Sequence, residues 1–278
     1  FALIARRDSL FDLSSIMATK LPFSDQTAII TGAGMGIGKE IAGQLLMQGA
    51  FVVVNDANQE VLGELPETWD TYKGRFATVA GNAGDPQVIE EMMLRAQQYN
   101  GRLDIVIANA GITTFGSFLD YTADQFQALM DLNLKGSFFL AQAGARRMKA
   151  QGSGGRILFM SSVTGHQAHE YLVAYGMTKA ALEMLAKGLV VELSAFGITV
   201  NAIAPGATIT ERTLKDDPNY NKTWQTITPM GRPATTKDIA HAALFLVSPL
   251  SGHITGQTLV VDGGWTSVSP GPDTVRWA

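Results

Sequence analysis

From residue 26 onward, short apolar runs rich in β-branched residues alternate with longer segments of helical period, and this alternation leaves few folds open to the chain. Residues 27–31, 51–55, 75–80, 103–108, 156–161, 198–204 and 258–261 read as strands. Helices are predicted over 36–48, 86–99, 123–150, 172–196 and 237–247, with Pro86 at a first-turn position and Gly197 where a C-cap glycine belongs. Runs such as Ile105-Val106-Ile107 are apolar throughout, as expected of parallel strands covered on both faces. Parallel strands joined by helices require right-handed crossovers. The expected fold is therefore α/β: a doubly wound, parallel, seven-stranded sheet with helices on both faces.

No Pro- or Ser-rich linker and no internal repeat interrupts the pattern, so one domain is expected over 21–278. Residues 1–20 read as a tail, and residues 1–16 as an upstream extension ahead of Met17. A formal net charge of −4 gives no electrostatic footprint for nucleic acid and argues against an anionic membrane surface. With no cysteine, disulfides and thiolate metal sites are excluded, which suits a reducing cytoplasm. No run approaches the roughly 18 continuous apolar residues of a membrane span. The expected partners are small molecules or further copies of the chain.

The first strand passes into the first helix through Thr31-Gly32-Ala33-Gly34-Met35-Gly36-Ile37-Gly38. Glycine allows close approach of backbone to a ligand, and a helix start offers N–H groups to an anion. The spacing is Gly32-x3-Gly36-x-Gly38 rather than GxGxxG, and no Gly-Lys-Ser/Thr ending follows, so a dinucleotide cradle is favoured over a nucleotide-triphosphate loop. Asp56 ends the second strand 24 residues after Gly32, where an acidic side chain can accept hydrogen bonds from adenosine ribose hydroxyls. Its charge would repel a 2′-phosphate, and neither Met35 nor Ala57 offers a compensating cation. NAD is thus favoured over NADP.

Tyr175 and Lys179 lie four residues apart on one predicted helix and share a face. An ammonium close to a phenol favours its phenolate form, which makes the pair a candidate acid/base for an alcohol oxygen.

In this order and spacing, the glycine turn, Asn109-Ala110-Gly111, Asn133, Ser162 thirteen residues ahead of Tyr175, Tyr175-x3-Lys179, Pro205-Gly206 and Val261-Asp262-Gly263-Gly264 resemble the short-chain dehydrogenase/reductase family over about 27–265. The resemblance implies a Rossmann fold and hydride transfer between NAD and a substrate carbon without a metal. It implies that Tyr175 exchanges the proton of the substrate alcohol and that Lys179 holds the nicotinamide ribose. Ser162, with Ser161 as its neighbouring rival, would bind the substrate oxygen, and Asn133 would position a relay water. The implied cofactor residues are Gly32, Gly34, Met35, Gly36, Ile37, Gly38, Asp56, Asn82, Ala83, Asn109, Ala110, Gly111, Tyr175, Lys179, Pro205, Gly206, Thr208 and Thr210. Asn82-Ala83 departs from the family's usual Asp and apolar pair, although Asn can still accept the adenine hydrogen bond.

Substrate identity falls to 165–171 and to a loop over about 207–228. The first is unusually rich in hydrogen-bonding groups, which suits a polyhydroxylated substrate. Residues 205–213 are similar to members labelled glucose 1-dehydrogenases or sugar and polyol dehydrogenases. His166 is either a substrate contact or a solvated loop residue, and Trp224 is expected to stack on a sugar face. No carboxylate cluster with ligand spacing surrounds His166 and His169, so no metal is expected. The charges of 211–228 are expected to form a solvated lid. The family habit of tetramers built on 123–150 and 172–196 implies a homotetramer, with Ala180, Ala181, Leu185 and Leu189 on a permissive face. An NADPH-dependent 3-oxoacyl thioester reductase is the alternative enzyme. A nucleotide-sensing protein without turnover is the alternative outside catalysis.

Overall fold

The run Thr27-Ala28-Ile29-Ile30 forms strand β1 (Thr27–Ile30), every residue of which is buried, and the rest of the molecule is built outward from it. The structure, a computed structural model, describes residues 21–268; the tail expected over 1–20 and the end of the expected domain after 268 lie outside the described residues. Helix α1 (Gly36–Met47) returns the chain to β2 (Phe51–Asp56). Short helices α2 (Gln59–Gly63) and α3 (Leu65–Thr68) lead to β3 (Phe76–Ala80). Helix α4 (Pro86–Asn100) then starts at Pro86 behind an Asp85 cap and stops at Gly101, whose φ of 77° ends it in the left-handed region.

Strand β4 (Ile105–Ala108) is followed by α5 (Ala123–Leu129), a π-helical turn (Met130–Gly136) and α6 (Ser137–Gln151). Then come β5 (Gly155–Met160), the 21-residue α7 (Val173–Leu193) and β6 (Ile198–Pro205), all of whose residues are buried. A lid segment holds β7 (Thr208–Ile209), α8 (Glu211–Asp216), α9 (Tyr220–Ile227) and β8 (Ala234–Thr235). Helix α10 (Thr236–Val247) and β9 (Thr258–Val261) complete the fold.

The seven-stranded sheet has the order β3-β2-β1-β4-β5-β6-β9, and every adjacent pair is parallel. Strands covered on both faces need apolar residues on both, and two separate cores meet that need. One packs Ile30, Val54, Ile107 and Ile203 against Ile41 and Leu45 of α1 and Leu244 of α10. The other packs Ile29, Val53, Val106 and Phe159 against Met92 of α4, Leu140 of α6 and Leu182 of α7. Each fully buried Leu, Ile or Val contributes about 1.5–3 kcal/mol, so both layers stabilise the sheet against its helices. The sheet order reverses between β1 and β4, and the crevice at their carboxyl ends is the natural ligand position of such folds.

The predicted helix over 123–150 runs without a break through α5, the π turn and α6. Its centre widens into a π turn because Gly136 packs directly on backbone, where an added Cβ would stand 3.0 Å from Gly84 Cα and 3.1 Å from Ala83 O. The lid expected as a solvated loop contains two short helices instead. Thr210 and Thr213 close α8 with a reciprocal capping box, which gives those residues a folded alternative to solvation. No helix among the described residues is long and apolar enough to cross a membrane.

Candidate active site

The turn after β1 is held by the chain leaving β4. Asn109 Nδ2 donates to Thr31 O at 2.9 Å and to Gly32 O at 2.8 Å, and the backbone N–H groups of Asn109 and Ala110 both donate to Thr31 Oγ1 at 3.1 Å. Gly32 has φ of 60°, and a Cβ there would stand 2.8 Å from Ala110 Cα. A side chain at Gly38 would collide with the Gly32 carbonyl and stand 2.6 Å from Asn109 Nδ2. Glycine at both positions lets the two loops close on each other and leaves the start of α1 facing a cavity of about 600 Å³. Met35, the residue before α1, supplies no side-chain cap, and of the first-turn N–H groups only that of Gly36 meets a side chain, the Glu211 carboxylate.

Asp56 ends β2 at the rim of the same cavity. Its Oδ2 accepts from Gly34 N at 3.0 Å and its Oδ1 from Asn58 N at 3.0 Å, which fixes the carboxylate while each oxygen keeps a lone pair for a further donor. Gly34 itself does not line the cavity; it packs behind, against Val61 and Asp56. Asn82 accepts from Gly84 N at 2.9 Å and lines the cavity with Ala83, beside Asp56.

On the other side of the cavity, Tyr175 sits in the first turn of α7 and Lys179 one turn later. Lys179 is buried; its Nζ donates to Met160 O at 2.7 Å and lies 5.4 Å from the centre of the Tyr175 ring. The ammonium has three donors, and the other two have no partner among the described residues. A buried ammonium satisfied only once calls for acceptors from the cavity, as a ribose diol would provide.

The two serines after β5 have different surroundings. Ser161 Oγ points to Glu183 Oε1 at 2.7 Å, with Lys179 O at 3.1 Å. Ser162 Oγ accepts from Thr164 N at 3.3 Å, which leaves its own hydrogen to donate into the cavity. Both serines line the cavity, but the Ser161 hydroxyl is committed to Glu183.

Asn133 lies at the centre of the π turn, fully buried, and does not line the cavity. Its Nδ2 donates to Ile112 O and its Oδ1 accepts from Ile112 N, both at 2.9 Å, with Thr178 Oγ1 3.3 Å from Nδ2. The side chain clamps the 111–113 loop. Pro205, Gly206, Thr208 and Thr210 line the cavity below the lid, where Gly206 N donates to Val261 O at 3.0 Å. Asp262 holds the turn that follows, accepting from Gly264 N at 2.8 Å and from Thr266 N and Oγ1 at 2.7 Å. Burial alone would raise its pKa, but these hydrogen bonds hold it below the ordinary carboxylate value.

The two substrate candidates are displaced from the cavity. His166 turns outward, its Nδ1 3.3 Å from Glu183 Oε1, because the tight turn after Ser162 carries it onto α7. Trp224 packs edge-on against Trp265, with ring centroids 4.7 Å apart, and neither it nor His166 lines the cavity. Tyr220 lines it instead, its hydroxyl pushed up in pKa first by burial. Glu211, Arg212, Thr213, Ile112, Thr113 and Leu132 also line it. These residues carried no individual signal in the sequence, because only the folding of α8 and α9 over the turn brings the lid ones there. His169 packs on Trp265 at 4.9 Å, its pKa lowered by burial and its Nε2 without a partner among the described residues.

A family profile described as enoyl-(acyl carrier protein) reductase matches residues 32–266. A protein of Sphingomonas sp. named L-rhamnose 1-dehydrogenase (NAD(P)(+)) is 33% identical over 246 residues, which is 86% of this chain and 95% of the relative. The fold superposes with a TM-score of 0.83 on a short-chain type dehydrogenase/reductase from Mycobacterium marinum, at 32% identity, covering 89% of this chain and 98% of that one. A gluconate 5-dehydrogenase from Burkholderia cenocepacia, solved in complex with NADP and tartrate, superposes with a TM-score of 0.82 at 34% identity, covering 90% and 98%.

Proposed function

Because the chain belongs to the short-chain dehydrogenase/reductase family, we propose that it oxidises a small polyhydroxylated alcohol, an aldose or a related sugar acid, with NAD as hydride acceptor, or runs the reverse reduction. The observation that carries this reading is that Ser162, Tyr175 and Lys179 share one cavity with Asp56 and the start of α1. When bound, the nicotinamide accepts or returns the hydride. The start of α1 binds the dinucleotide's anionic centre, and Asp56 binds the adenosine ribose. Lys179 orients the second ribose and stabilises negative charge on the Tyr175 oxygen. Ser162 donates a hydrogen bond to the substrate oxygen, and Tyr175 removes the hydroxyl proton as the hydride leaves carbon. Asn133 holds the 111–113 loop in place beside Lys179.

Relatives named for L-rhamnose and gluconate support a sugar-type substrate, and the hydroxyl and carboxylate groups of the lid agree with it. The test is turnover of L-rhamnose, other aldoses, gluconate and simple secondary alcohols with NAD and NADP in parallel, followed by reduced-nicotinamide absorbance. Turnover of a polyhydroxylated substrate is expected; activity confined to acyl thioesters would replace this reading with the reductase that the family profile is named for.

Relatives are labelled NAD(P)(+) or were solved with NADP, so Asp56 is the residue on which NAD preference rests. Removing a carboxylate that would face a 2′-phosphate is worth about 1.4–2.7 kcal/mol, or ten- to a hundredfold. Asp56→Ser is therefore expected to raise the NADP-to-NAD ratio of kcat/KM by that factor. An unchanged ratio would remove Asp56 from cofactor choice.

The assembly proposed is a homotetramer. Between the π turn, α6 and α7 runs an apolar groove of about 720 Å³ that includes Phe139 and Met184, 44% and 65% exposed. Light scattering is expected to give a tetramer, and Phe139→Glu a smaller species; a wild-type monomer would contradict the proposal.

A further inference from the structure

One side chain of the lid reaches the glycine turn. Glu211, the first residue of α8, accepts from Gly36 N through Oε2 at 3.2 Å, although the two residues are 175 positions apart. Gly36 is the first residue of α1, so this N–H belongs to the set that the cavity presents to an anion. The lid lies directly over the turn here: a Cβ on Gly36 would meet Thr210 Cγ2 at 3.5 Å and Glu211 Oε2 at 3.8 Å. A carboxylate and a diphosphate oxygen carry like charge and cannot both sit well on one N–H. Glu211 also lines the cavity itself, so its charge faces whatever binds there.

We propose that Glu211 is a built-in competitor of the cofactor's diphosphate. Its carboxylate takes the Gly36 N–H when the lid lies on the turn, and a bound diphosphate displaces it. The residue thereby couples lid position to cofactor binding and keeps the cofactor exchangeable between turnovers. The inference rests on reading the cavity as the dinucleotide site. The contact is exposed, so its influence is that of an anion at an exposed helix start, about two- to fivefold in affinity.

Calorimetric titration of the whole protein with NAD, ADP and adenosine tests this without any substrate. Glu211→Gln is expected to bind NAD and ADP about two- to fivefold more tightly than wild type. Adenosine, which carries no phosphate, is expected to bind both proteins alike. The ADP difference should narrow as salt is raised, because screening weakens the carboxylate's repulsion. Glu211→Ala, which has neither charge nor hydrogen-bonding group, should tighten ADP as well; tightening by Gln alone would assign the effect to the new amide and overturn the proposal. Equal or weaker ADP binding by Glu211→Gln would also overturn it. If neither protein bound NAD, ADP or adenosine, the dinucleotide reading of the cavity would fall, and the proposal with it.

Discussion

Tyr175→Phe is expected to lower turnover by about 10²–10⁴-fold while leaving the dissociation constant for NAD nearly unchanged. The substitution removes one oxygen and keeps the ring, so the contact of the Lys179 ammonium, 5.4 Å from the ring centre, persists. Lys179 also keeps its hydrogen bond to Met160 O, which does not involve the phenol. What is lost is the group that takes the proton from the substrate oxygen, and no other hydroxyl replaces it: Ser162 is a donor to that oxygen, and Ser161 is turned to Glu183. Stopped-flow binding and steady-state rates on the same preparation separate the two effects. Turnover within a few fold of wild type would remove Tyr175 from the proton path.

Gly38→Ala is expected to damage both stability and cofactor binding. The added methyl would collide with the Gly32 carbonyl and stand 2.8 Å from Ala33 Cα and 2.6 Å from Asn109 Nδ2. The first two neighbours are backbone and cannot swing aside. The third is the amide that ties β4 to the turn through Thr31 O and Gly32 O. Overpacking of this kind costs about 1–3 kcal/mol, which for a domain of this size lowers the melting temperature by about 2–12 °C. Relief of the collision opens the turn, so NAD affinity is expected to fall at least about tenfold, as loss of one or more charge-assisted hydrogen bonds would dictate. Gly63→Ala is the control: a Cβ there meets nothing within 4 Å, and stability should hold or rise slightly. A Gly38→Ala protein that melts and binds NAD like wild type would contradict the packing described for the turn.

The sheet was legible because its strands are apolar on both faces. Ile105-Val106-Ile107 and Val52-Val53-Val54 read as interior strands, and neither lies at an edge of the observed order. Helix ends marked by Pro86 and Gly197 were equally legible, since those residues act through their own backbone. The π turn was not. Its cause is the seating of Gly136 on the Ala83–Gly84 backbone and of Asn133 on Ile112, contacts between segments that are distant in sequence.

The site divides in the same way. Spacing brought the glycine turn, Asp56, Ser162, Tyr175 and Lys179 to notice, and the fold gathers them around one cavity. Spacing could not say which way a loop side chain turns. His166 was a reasonable substrate candidate beside Ser162, but its ring meets the carboxylate of Glu183, four residues beyond Lys179 on α7, which also takes the Ser161 hydroxyl. Trp224 offered the right surface for a sugar, yet Trp265, after β9, holds it edge-on. Glu211 looked like one of many solvated charges until the lid folded onto Gly36.

In the proposed reaction, hydride passes directly between a substrate carbon and the nicotinamide within this cavity, with the proton leaving through Tyr175. The direct measurement uses a polyhydroxylated substrate that the enzyme turns over, with deuterium on its carbinol carbon, and locates the label by mass spectrometry. One deuterium is expected in the reduced nicotinamide and none in water, with a slower rate than for the unlabelled substrate. Deuterium released to solvent, or substrate consumed without label in the nicotinamide, would contradict this reaction.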